Sequence, residues 1–289
     1  MQKKDIEFTP QLDVVRNLNK GTFNTECLSE DSYYKVYGKP TIELKKQIEK
    51  EIKRKFNETS DILDDFNWNE SGDKDYFLYS MLKKEFEFPK VFDRLEKGKF
   101  KDWENVKYFG IKKKTSEKVR EQVKVLYYNS KEDFAIKLLT KSNDEVIISR
   151  GNKANTFGEI YAEIKENNEN FKGSKNIEED EIVKIPNIDF KLKKEFNEIE
   201  AKPFSFASGE EYVIEKAVQT IEFSLDEKGG RVKSEAGMVN KTTALLPDLE
   251  PREFLVNDTF CIFLKEKDKE LPYFAAKISD ITQVQILEN

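Results

Sequence analysis

No histidine occurs among the 289 residues. That absence removes Ser-His-Asp and Cys-His catalysis, the HExxH zinc site and most catalytic metal centres. Acid–base chemistry would then fall to paired carboxylates or a nucleophilic lysine. Acidic residues do cluster, at Asp61, Asp64 and Asp65 and at Glu178-Glu179-Asp180-Glu181. They lie among polar residues of helix or loop type, where clustered like charges are ordinarily solvated. An enzyme is not expected, nor a metal or cofactor. Cysteine is nearly as scarce: Cys27 and Cys261 stand far apart. Two cysteines alone do not distinguish a disulfide from buried thiols, and free thiols are the expectation. No apolar run reaches the length needed to cross a bilayer, and MQKKDIEFTP lacks the apolar core of a secretory signal. The Asn-X-Ser/Thr triplets at Asn57, Asn69, Asn240 and Asn257 matter only in a secreted protein.

Basic charge is not in excess either. With 56 acidic and 50 basic side chains the formal charge is -6, which gives no phosphate-tracking surface. Neither nucleic acid nor membrane is an expected partner. The chain does have aromatic weight, 12% with 22 Phe, and length enough to bury a real core in one large domain or two small ones.

The stretch 211–254 organises the rest. Val213, Ala217, Gln219, Ile221, Phe223 and Leu225 share one parity, as in a strand with one buried face and one interruption. The alternation breaks at Asp226-Glu227-Lys228-Gly229-Gly230, where paired glycines free the backbone to bend or extend. A hinge belongs there. Arg231 to Pro247 is too long for a hairpin turn, and long loops of this kind are functional or disordered. Within it the small residues Val232, Ser234 and Ala236 alternate with Arg231, Lys233 and Glu235, the pattern of a strand with one inward side.

Elsewhere, Leu12, Val15 and Leu18 suggest a short helix. Pro40 to Phe56 reads as an amphipathic helix with Leu44, Ile48, Ile52 and Phe56 on one stripe and a solvated basic face opposite. Tyr76 to Phe88 reads as a strand, Val106 to Phe109 as another, and QVKVLYYNSKEDFAIKLLT (122–140) as two strands joined by a polar turn. Residues 155–180 are polar and of helix or loop type. In 181–204, Pro186 marks an edge or a strand end, an extended segment runs through Phe190, and a short helix follows.

VQTIEFSLDEKGG resembles the fifth strand of the large sheet and the Glu-X-Gly hinge of the serpins, and FLVNDTFCIFLKEKDKELPYFAAKISD their closing C-terminal strand pair. The helix at 40–56 and the strand at 76–88 are similar to the family's helix across the large sheet and its third strand. Phe88 and Phe92 fall where serpins carry the Trp and the final Phe of Lys-Trp-X-X-Pro-Phe. Ser29-X-X-Ser32 resembles the motif that begins the central helix, without its Pro. The resemblance spans about residues 41–283, with 1–40 poorly matched and several helices and the first two large-sheet strands reduced or missing.

It implies an α+β fold in one domain over 1–289: a large central mixed sheet, a second antiparallel sheet, packed helices, and an exposed reactive-centre loop at 229–253. It implies a monomeric bait for a serine or cysteine protease, whose loop inserts as a strand after cleavage. By the family's count the reactive bond is Thr243-Ala244, with Lys241, Thr242, Leu245 and Leu246 as alternatives, and the hinge comprises Glu227, Gly229, Gly230, Val232, Ser234 and Ala236. Gly230 departs from the family's Thr or Ser. Ser80 and Gln219 take the Asn and His places of the polar shutter, with Ser29 and Ser32 as companions, or all four are ordinary polar strand positions. An extracellular site is implied by the resemblance, a cytoplasmic one being the alternative. A non-inhibitory binding or storage protein that keeps the fold without the switch is the other reading.

Overall fold

A computed structural model describes residues 6–8, 27–60, 63, 64, 66–68, 72, 74–206, 209–230 and 251–287. The strands in chain order are β1 (Ile6–Phe8), β2 (Tyr33–Gly38), β3 (Asp75–Leu82), β4 (Phe86–Glu87), β5 (Asp93–Phe100) and β6 (Trp103–Ile111). Next come β7 (Val123–Ser130), β8 (Asp133–Leu139), β9 (Asp144–Arg150), β10 (Ile182–Pro186), β11 (Ile188–Glu195) and β12 (Pro203–Phe206). The last are β13 (Glu211–Leu225), β14 (Gly229–Gly230), β15 (Glu253–Leu255), β16 (Phe260–Glu266) and β17 (Phe274–Ile278). The α-helices among the described residues are α1 (Ile42–Phe56), α2 (Glu117–Arg120) and α3 (Phe157–Asn170). The fold class is α+β. Its elements gather into two compact units, Met1–Lys84 with Lys191–Glu222, and Glu85–Phe190 with Phe223–Asn289.

The first unit is built on a mixed six-stranded sheet in the order β1-β12-β13-β3-β2, with β11 also paired to β13. β13 and β3 run parallel and directly adjacent, from Val213 opposite Asp75 to Gln219 opposite Ser80. β2 flanks β3 antiparallel. Thr41 caps α1 by accepting the Leu44 amide at 3.1 Å, and Asn57 ends it in the left-handed region at φ 53°. The apolar stripe of α1, Leu44, Ile48, Ile52 and Phe56, packs on Phe77 and Tyr79 of β3 with Leu63 and Trp68. The opposite parity of β3, Tyr76 and Leu78, meets Phe204, Ile214 and Ala217. Alternation along one strand thus serves two cores.

The second unit contains a four-stranded sheet, β15-β10-β6-β5, and a five-stranded antiparallel sheet, β17-β16-β9-β8-β7. Phe100, Phe109, Val183 and Phe254 of the smaller sheet share one core with Phe134, Ile136, Val146, Ile148, Phe260 and Ile262 of the larger. The intervening residues Ala135, Ile147, Cys261 and Phe263 pack with Ile160, Tyr161 and Ile164 of α3. Strands buried on both faces read as continuous apolar runs, which is why β9 and β16 show no alternation in sequence. Both cysteines are free, and burial pushes the Cys261 thiol pKa upward.

Several expectations are corrected. Ser29 and Ser32 introduce a 3-10 turn, Glu30–Ser32, and then β2 rather than a helix. The run Tyr33-Tyr34-Lys35-Val36-Tyr37 is β-branched and aromatic, and a pleated surface suits it better than a helix. The single strand expected over 76–88 is two, interrupted at residues 83–85. The interruption in β13 is a register shift between Ile214 and Lys216, so Ile214 and Ala217, not Val213 and Ala217, turn inward. After Phe190 the extended β11 runs on to Glu195, and only one helical turn follows, Glu200 N–H to Phe196 O at 3.3 Å. Glu181 is buried rather than solvated. The short helix expected at Leu12, Val15 and Leu18 lies outside the described residues.

Candidate functional site

The loop singled out in the sequence leaves and re-enters the second unit at two roots. At the first root β13 ends and the chain reverses within four residues. Asp226 N–H donates to Gly229 O at 3.1 Å and Gly229 N–H to Asp226 O at 3.3 Å. Asp226 Oδ1 also accepts the Lys228 amide at 2.8 Å, the local bond by which aspartate favours turns. Gly229 and Gly230 then form β14, antiparallel to Glu87 and Phe86 of β4. The two glycines expected at a hinge form a strand of two residues.

Gly229 is required there, and Gly230 is closely packed. Gly229 adopts φ +137°, and a Cβ would stand 2.7 Å from the Glu87 Cα. At Gly230 a Cβ would meet the Phe86 ring at 2.9 Å and the Ser224 carbonyl oxygen at 3.0 Å. A side chain at 230 would have to displace the Phe86 ring.

The turn is held from outside by residues 86–94. Phe88 N–H donates to Lys228 O at 3.0 Å, and Phe92 N–H to Glu227 O at 2.8 Å. Phe88 and Phe92 pack edge to face at 4.8 Å, with Phe92 against Phe109 at 5.8 Å. The buried Gln122 amide accepts the Lys90 N–H and donates to the Lys90 carbonyl, each at 2.9 Å. Glu227, 5% exposed, receives the Arg94 guanidinium from Nε at 2.8 Å and Nη2 at 2.7 Å, both on Oε1.

The second root is built differently. Arg252 forks onto both carboxylate oxygens of Glu181, and its Nη1 and Nη2 donate to Ser174 O and Asn176 O at 2.8 Å. The guanidinium also lies over the Phe254 ring at 5.4 Å and the Tyr128 ring at 5.9 Å. Beyond it, β15 pairs parallel with β10, Phe254 opposite Val183. Nothing in the motif reading pointed to Gln122, Arg94, Glu181 or Arg252. An isolated Arg after a Pro was the only available signal at the second root.

Of the expected hinge residues, Glu227, Gly229 and Gly230 converge as described. Val232, Ser234 and Ala236, and the candidate bond residues Lys241, Thr242, Thr243, Ala244, Leu245 and Leu246, lie outside the described residues. The four shutter positions fall in the first unit. Ser80 is exposed, with its backbone between Lys35 of β2 and Gln219 of β13. Ser32 accepts the Lys83 amide through its carbonyl, three residues further along than Ser80, and Ser29 accepts the Ser32 amide through its own. The serines thus belong to one end of the β2–β3 pair and Ser80 to its middle.

No group of ligand residues suited to a metal occurs among the described residues, and none of their helices is long and apolar enough to cross a membrane. No family model and no curated protein sequence matches the chain. Solved structures similar to it include thyroxine-binding globulin in complex with thyroxine, at 12% identity and TM-score 0.48, over 81% of this chain and 63% of that one. Serpin48 of the insect Tenebrio molitor matches at 12% identity and TM-score 0.46, over 93% and 80%. The thermophilic serpin Tengpin in its native state matches at 12% and 0.48, over 92% and 79%. The chain spans under two thirds of the thyroxine-binding globulin chain, and likeness at this level assigns it neither activity nor partner.

Proposed function

We propose that the chain is a serpin-like protease inhibitor, whose 229–253 loop is offered to a serine or cysteine protease and enters the large sheet as a strand once cut. The observation that carries this reading is β14. Its two residues run antiparallel to β4 and are bridged to the end of β13 at Asp226, so the loop leaves its root with strand pairing already begun. In the first unit β13 and β3 are parallel neighbours. A strand running back between them would replace one parallel pairing by two antiparallel ones, which are slightly more favourable per residue and bury further side chains. Thr243-Ala244 is the bond we assign by the family's count, and Val232, Ser234 and Ala236 the residues that would face inward. Ser29, Ser32, Ser80 and Gln219 stay shutter candidates, tested by substitution for their effect on insertion rate.

The test is incubation with a panel of serine and cysteine proteases. An SDS-stable complex with one enzyme and a rise in Tm of the cleaved chain support the reading. A loop cut by many enzymes with neither effect rejects it.

One feature favours the second reading, a fold kept without the switch. Entry of a strand would first break the ladder from Val213–Asp75 to Gln219–Ser80, and Gly230 adds backbone entropy to the cost of ordering. Cleaved protein with an unchanged Tm selects this alternative. A Gly230→Thr variant made to gain inhibition needs Phe86→Ala with it, because the docked turn has no room for a side chain at 230.

A further inference from the structure

We propose that the Arg94–Glu227 ion pair is a salt-sensitive latch that keeps the 226–230 turn docked on residues 86–92. Its two ends live in different solvents. The Glu227 side chain is 6% exposed, whereas that of Arg94 is 76% exposed. A buried carboxylate without a counter-charge is costly, so Glu227 stays in place only while it is paired. The charge that pairs it stands in water, where mobile ions compete for it and screen it within about 10 Å at 0.1 M salt. The neighbouring charges are otherwise engaged: Glu87 takes Lys141 at 2.7 Å, Asp93 accepts the Thr115 hydroxyl, and Asp226 accepts the Lys228 amide. No second cation is bonded to Glu227 by the described contacts of this turn.

The consequence is mechanical. Glu227 O receives Phe92 N–H and Lys228 O receives Phe88 N–H, so withdrawal of the Glu227 side chain loosens both bonds and, with them, the pairing of Gly229 and Gly230 on β4. The Lys90–Gln122 clasp next to them uses neutral amides and does not depend on the latch. The second root supplies an internal contrast. In the Arg252–Glu181 pair both side chains are largely withdrawn from water, at 16% and 6% exposed, and salt reaches neither.

The latch rests on reading the turn as a hinge, but its test does not require inhibition. Amide hydrogen exchange is followed at Gly229, Phe88 and Phe92, with Lys90 and Val256 as references, for the intact chain at low and at about 0.5 M sodium chloride. Wild type is expected to exchange about tenfold faster at the three turn amides in high salt, with both references unchanged. Arg94→Gln is expected to exchange fast at both salt concentrations, and the swap Arg94→Glu with Glu227→Arg to restore slow exchange at low salt. Turn amides indifferent to salt in wild type overturn the latch, as does an increase shared by Lys90 and Val256. The salt series decides the matter in wild type even where the variants fail to fold. Loss of the latch with inhibition intact, or the reverse, separates this proposal from the proposed function.

Discussion

The two ends of the 231–250 segment are anchored in the same unit by opposite means. At Gly230 the chain is held by backbone pairing, by two glycines that fit against Phe86 and Glu87, and by an ion pair with one partner in water. At Arg252 it is held by a buried bidentate ion pair, two main-chain carbonyls and two aromatic rings. A backbone contact two residues long is reversible at modest cost. Both roots bury a carboxylate, but the cation that pairs it stands in water at the first and is largely withdrawn from it at the second. The two roots therefore differ in how far their anchoring charges are withdrawn from water.

The comparison is broken most severely at Arg252. Arg252→Ala leaves Glu181 buried and unpaired and is expected to remove about 3–5 kcal/mol of stability, read from chemical denaturation. A loss under about 1 kcal/mol at this site would mean that the second root is no firmer than the first. Gly229→Ala comes next. Its φ of +137° and the nearby Glu87 backbone exclude a Cβ, so the docked turn should lose about 1–3 kcal/mol, seen as fast exchange at Phe88 and Phe92 before any change at Val256. Gln122→Leu strips the Lys90 amide and carbonyl of their partners, at a cost of about 1–3 kcal/mol, and should loosen 88–92 with the turn still formed. The smallest global effect is expected from Arg94→Gln. Its exposed side chain contributes about 1 kcal/mol or less to overall stability, so a Tm nearly unchanged alongside a freed turn would sharpen the contrast between the roots.

Much of this could be read from residue order. The helix over 42–56 is marked by its apolar stripe, and the 123–139 hairpin by two apolar runs around a polar turn. The hairpin of β16 and β17 was expected only through the resemblance, whereas the Asp226–Gly230 break was marked by its paired glycines. What was illegible has a common character. The β2 strand hid behind a short Ser-X-X-Ser pattern that suits a cap and a strand entry equally. The bulge at Ile214–Lys216 depends on a partner strand absent from local sequence. Glu181 looked like one of four solvated acids because its partner, Arg252, lies 71 residues further along the chain, beyond β10 to β14.

Sequence alone determined where the chain turns after β13, because a turn needs φ values and side-chain volumes that only particular residues permit, and those are local properties. It also determined that no histidine chemistry is available. The tertiary structure decided what the hinge rests on and how firmly each root is held. Those depend on which charges and carbonyls meet across long stretches of chain, and on which of them are removed from water when they meet.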